Sequence, residues 1–138
     1  MSTHFNDIEA ALNTQLATIQ VSEVPPIAWP NDGYEPILGT DYLRPTLLPS
    51  SNAQVSLGST GKDKYVGIYQ VDVFYGKGEG RSAFPDQIAD LFKRGTVLTY
   101  NGVNVVISSA TPESISYEES WCMAPVSVTF YAYTEART

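Results

Sequence analysis

"VFYGKGEGRSAFPDQIADLF" (residues 73–92) runs from the end of a strand, through three glycines in five positions, into the start of a helix. Strand, glycine-rich loop and helix is also the order of phosphate-binding loops, so this stretch separates a nucleotide-binding fold from a plain chain reversal. A P-loop requires G-x-x-x-x-G-K-[ST], and "GKGEGRSA" places Lys77 between its first two glycines. The dinucleotide fingerprint G-x-G-x-x-G fails as well. Gly76, Gly78 and Gly80 give G-x-G-x-G, and Glu79 would repel a pyrophosphate. The glycines are read as turn chemistry that reverses the chain into a helix.

Working outward, "YVGIYQVDVFY" (residues 65–75) is the clearest strand. Tyr65, Tyr69, Val71, Val73 and Tyr75 share one face; Val66, Ile68, Gln70, Asp72 and Phe74 share the other. Both faces are partly apolar, which predicts a central strand. Downstream, a helix is expected over 82–94, with Phe84, Ile88, Leu91 and Phe92 as its buried stripe and Gly95 as its stop. "TVLTYNGVNVVISS" then reads as a hairpin turning at Asn101-Gly102, where both residues tolerate positive φ. A final strand is expected over 125–133, with Val126, Val128, Phe130 and Ala132 on one side.

Upstream, Phe5, Ile8, Leu12, Leu16 and Ile19 recur at three- and four-residue spacing and predict a helix over 4–19, capped by Ser2 or Thr3. Residues 24–50 carry six prolines, which exclude a long helix. Strand pieces are expected near 26–29 and 41–48, and Pro45 demotes the second to an edge strand or a bulge. The polar, small-residue run "SSNAQVSLGSTGKD" (50–63) reads as a long exposed loop. The fold class is therefore α+β, a single domain (1–138) with a mainly antiparallel sheet and two flanking helices.

Composition narrows the function. The 138 residues suffice for a core, and 43% hydrophobic content excludes a disordered tail. A net charge of −7 argues against gripping a DNA or RNA backbone. Cys122 is the single cysteine, so no internal disulfide forms, which fits a reducing compartment. The N-terminus lacks a signal-peptide pattern, and no apolar run is long enough to span a membrane. The expected setting is the cytoplasm, or a particle assembled there.

Catalytic constellations are not assembled. His4 is the single histidine, at a helix end, and a nucleophile–histidine site would have to rest on it. Cys122 has no CxxC partner, and one Cys with one His cannot make a zinc site. Glu118 and Glu119 are adjacent on an extended segment, point to opposite sides, and read as solvated charge. Lys62 with Lys64, and Lys93 with Arg94, are small basic spots that suit an acidic partner or plain solvation.

Aromatic residues make up 12% of the chain, enough to choose between two readings. Trp29, Tyr34, Tyr42, Tyr65, Tyr69, Tyr75, Tyr131 and Tyr133 lie in strands or in the proline-rich run. They could pave a sheet core or a protein–protein interface, where Tyr and Trp are enriched. A small sheet has trouble burying both faces, which favours partners.

The ordered set "IAWPNDGYEPILGTDYLRPTLLPS", "GIYQVDVFYGKGEG", "DQIADLFKRG" and "LTYNGVNVVI" resembles the tail terminator (minor tail protein U-like) family of long-tailed bacteriophages. The resemblance covers roughly residues 4–110, and more loosely the last strand, and rests on order and spacing rather than on one motif. It implies a structural protein with no catalysis and no cofactor. It implies a homohexameric ring at the head-proximal end of the virion tail, assembled in the host cytoplasm. The ring's partners would be copies of itself, the tail tube protein and the head–tail connector. DNA would pass through without sequence-specific contact, and no membrane is involved. The family carries no fixed contact signature, so candidate interface residues come from the aromatic and basic readings: Trp29, Tyr34, Tyr42, Arg44, Lys62, Lys64, Lys77 and Arg81. Arg44, on an exposed edge, is expected to tolerate charge reversal in folding while losing association. Competing readings are a neck or head-completion protein of the same particle, and a small hydrolase or nucleotide-binding enzyme at the 76–81 loop.

Overall fold

A computed structural model describes residues 4–18, 27–29, 42–54, 62–76, 83–117 and 121–135. The elements run α1 (His4–Leu16), β1 (Tyr42–Gln54), β2 (Lys62–Gly76), α2 (Ala83–Leu91), β3 (Val97–Tyr100), β4 (Val103–Pro112), β5 (Ser116–Tyr117) and β6 (Trp121–Glu135). The α+β expectation holds: one antiparallel sheet in the order β1-β2-β6-β4-β3, with β5 also on β6.

The sheet is built on β2 and β6, which pair without interruption from Lys62↔Glu135 to Gly76↔Trp121. β2 is central, as its two half-apolar faces predict. Its Tyr65, Tyr69, Val71, Val73 and Tyr75 are buried, alongside Val126, Val128, Phe130 and Ala132 of β6. Both helices lie on that side. Ile8, Leu12 and Leu16 of α1, one turn apart, and Ile88 of α2 join the same core with Phe92. Gln15 Nε2 donates to the Leu91 carbonyl at 2.8 Å and ties the helices together.

Both helices are shorter than expected. α1 stops at Leu16 rather than 19, and α2 covers 83–91 rather than 82–94. The caps Ser2 and Thr3, and Ile19, lie outside the described residues. Gly95 does not close α2 directly. It adopts φ +88° four residues on and donates its N–H to Ile107, turning the chain into β3. The Asn101-Gly102 hairpin forms as read, with φ 51° and 80°.

The long exposed loop needs correction. Ser51–Gln54 extend β1, and Lys62 and Asp63 open β2, in pairs such as Asn52↔Tyr65 and Gln54↔Asp63. Polar side chains obscured this, but a strand's backbone pairs regardless when an established partner lies alongside. Only 55–61 of that run falls outside the described residues.

β1 is an edge, as Pro45 predicts. The Leu43 carbonyl points outward and accepts from Ala28 at 2.7 Å, where Ile27 bridges to β1. Two residues on, the Pro45 nitrogen also faces outward, so the β1–β2 ladder loses no hydrogen bond. Pro125 sits inside a central strand, where proline is usually excluded. Its carbonyl accepts from Glu113 N–H, in the bend between β4 and β5. Its nitrogen therefore faces a gap in the neighbouring ladder, which lets β6 begin at Trp121 rather than at 125.

Candidate interface

The helices cover one face of the sheet, and among the described residues no helix covers the other, which is called the bare face below. On the bare face, cross-strand register aligns three rows. One runs Leu48↔Ile68↔Thr129↔Ser109, a second Val66↔Tyr131↔Val106↔Val97, a third Lys64↔Tyr133↔Asn104↔Thr99. Leu48 is 45% exposed, Ile68 37%, Val97 56% and Tyr133 46%. Of the large hydrophobic side chains exposed among the described residues, only Tyr100 stands apart from this face. An apolar band across the sheet that no described helix covers is a surface suited to a partner.

Alternation divides the aromatics that the sequence could not assign. Tyr65, Tyr69 and Tyr75 point under the helices and belong to the core. Tyr131 and Tyr133 point to the bare face, edge to face, with ring centroids 5.8 Å apart. Lys64 Nζ lies 5.0 Å from the Tyr131 ring centre and 5.9 Å from that of Tyr133. The rings hold the ammonium in place over the band.

A second cluster occupies the β1 end of the same face. Tyr42 and Phe74, paired across strands, stack at 4.5 Å with planes 7° apart. The Arg44 guanidinium sits 4.9 Å from the Phe74 ring centre and donates to Asp72 Oδ2 at 3.0 Å. Gln70 Nε2 donates to the other carboxylate oxygen at 2.8 Å. The Asp72 side chain is 3% exposed and that of Arg44 51%. This corrects the expectation for Arg44. It is the counter-ion of a buried carboxylate, so reversing its charge disturbs the sheet as well as any contact.

The remaining candidates are scattered. Trp29 is half-buried against the core and, with Glu9, Asn13, Thr14 and Ala17, lines a shallow open depression of about 310 Å³ on the helix side. Tyr42 is buried in its stack. Lys62 opens β2, but its side chain, with Tyr34, Lys77 and Arg81, lies outside the described residues. So does most of the 76–81 loop. Sequence reasoning places Tyr131 and Tyr133 only among the sheet aromatics. It misses Leu48, Ile68 and Val97, because exposure of an alternating apolar residue shows only once the helices are placed. Among the described residues no three His, Cys, Asp or Glu side chains gather to hold a metal, and no helix is long and apolar enough to cross a membrane.

The profile of the family described as Phage tail terminator protein matches residues 7–130. The chain belongs to the phage tail terminator protein family. That family is a structural one, and membership gives this protein a place in the phage tail. One solved structure superposes with a TM-score of 0.74 over 99% of this chain and 100% of its own. At 20% identity the likeness shows a shared fold alone. No curated protein matches the sequence.

Proposed function

We propose that this protein forms a homohexameric ring on the end of the tail tube, stops its polymerisation and presents the surface that joins the head. Family membership over residues 7–130 carries the reading. The two unlike sides of the sheet support it, one covered by helices and one that no described helix covers. A tube end exposes unpaired interface, and growth stops only when a subunit matches that end without recreating it. The ring occupies the head-proximal end of the tail, touches the tube protein below and the connector above, and acts without catalysis or cofactor. The chain's net charge of −7 suits a ring through which DNA passes without being held.

Electron microscopy of particles lacking this protein tests the reading. Abnormally long tails without heads are expected. Normal-length tails with heads attached would overturn it. Normal-length tails without heads would favour a neck or head-completion role.

A further inference from the structure

Resting on the ring reading, we infer which two surfaces of the subunit meet: the bare sheet face of one copy seats on the helix-bearing side of the next. The apolar band of Leu48, Ile68, Val97 and Tyr133 supplies area, and charge supplies direction. The charged side chains described on the bare face are Arg44, Lys64 and Asp72, a sum of +1. The charged side chains described elsewhere are Asp7, Glu9, Asp86, Asp90, Glu113, Lys93 and Arg94, a sum of −5 + 2 = −3. A weakly cationic face fits the acidic helix side of a second copy.

Geometry then selects among self-contacts. Two bare faces placed together would set like-charged surfaces against each other and leave both acidic sides outward. A face-to-back contact pairs unlike charges. It is heterologous, and repeated with a closing rotation it gives a ring.

The helix side offers suitable anions. α1 and α2 contain Asp7, Glu9, Asp86 and Asp90 and no Lys or Arg. Asp7 is buried and Glu9 half-buried, whereas Asp86 and Asp90 are exposed. These two lie one turn apart on α2, an arrangement of like charges that disfavours the helix by itself. Asp90 also sits in the last turn, at the negative end of the dipole, with no basic residue in that turn. Lys93 and Arg94 are exposed beyond the helix end, which leaves Asp86 the cleaner acceptor for a neighbour's Lys64.

The test uses full-length protein and mass photometry or sedimentation across a concentration series. Lys64→Glu alone, and Asp86→Lys with Asp90→Lys, should each raise the concentration for half-assembly by at least about tenfold. Circular dichroism should show both proteins folded. Mixed in equal amounts, the two should recover assembly, because the carboxylate that Lys64→Glu puts on the bare face then meets a lysine-bearing helix. Wild-type assembly should also weaken as salt rises. Either variant assembling like wild type, or a mixture that fails to recover, overturns the assignment. A wild-type chain that stays monomeric to millimolar concentration also overturns these surfaces as sufficient for the ring. A wild-type ring indifferent to both changes would remove the surfaces and leave the terminator reading standing, since that reading is decided by the tails.

Discussion

Gly67 lies directly opposite Phe130 across the β2–β6 ladder, and the Phe130 ring occupies the space a side chain at 67 would need. A Cβ at Gly67 would stand 3.0 Å from Phe130 Cζ and 2.9 Å from the Leu48 carbonyl oxygen. The ring could yield by rotation; the β1 backbone cannot without shifting the strand. Gly67→Ala should therefore destabilise the fold by about 1–3 kcal/mol despite the better strand propensity of alanine. Urea denaturation checks this. An unchanged midpoint would mean that β1 slides freely.

Tyr69 donates its hydroxyl to Asn13 Oδ1 at 2.6 Å, joining the central strand to α1. Tyr69→Phe should cost about 1 kcal/mol, the worth of one internal hydrogen bond. Burial, with Glu9 nearby, pushes this phenol well above the ordinary tyrosine range. Above about pH 10 the unfolded state binds fewer protons than the folded one, so stability falls as pH rises. The wild type should lose stability in alkali faster than Tyr69→Phe. Parallel alkaline denaturation curves would refute the assignment.

The Arg44–Asp72 pair predicts an order of stabilities. Arg44→Met should cost about 1–3 kcal/mol, less than a fully buried pair, because half of Arg44 faces water. Arg44→Glu should cost more, since it sets a second carboxylate beside Asp72. Arg44→Met with Asp72→Asn should recover part of the loss, because the buried charge is gone. Thermal melts rank the variants, and a double variant no better than the single would break the account.

The glycine loop after β2 should not bind nucleotides. Calorimetric titration with ATP, GTP and NAD should give no specific heat, and Lys77→Ala should behave like wild type. Micromolar binding abolished by that substitution would restore the enzyme reading.

The fold was legible where side chains alternate against a defined partner. Tyr65 to Tyr75 named a central strand, Asn101-Gly102 named a hairpin, and Pro45 named an edge. What stayed hidden has physical reasons. Ser51–Gln54 carry no apolar rhythm because their pairing is backbone to backbone. Pro125 looked like a strand start because the gap facing its nitrogen is made by residues 113–115. The candidate interface was half visible. Lys64 and the tyrosines were noticed, but which tyrosines face outward depends on where two helices land. Arg44 looked free because its partner, Asp72, is distant in sequence and buried.

The strand made last, β6, lies in the middle of the sheet, between β2 and β4. While the chain is still being synthesised, β1–β2 and β3–β4 can exist only as separate hairpins with half their edges open, and such ribbons are marginal in water. The core closes when residues 121–135 slot between them, a step that joins segments far apart in sequence and is correspondingly slow. A ribosome interrupted before that point releases a chain with no sheet to offer. Premature chains therefore lack the assembled sheet, and the supply of folded protein is set by completed translation rather than by total synthesis.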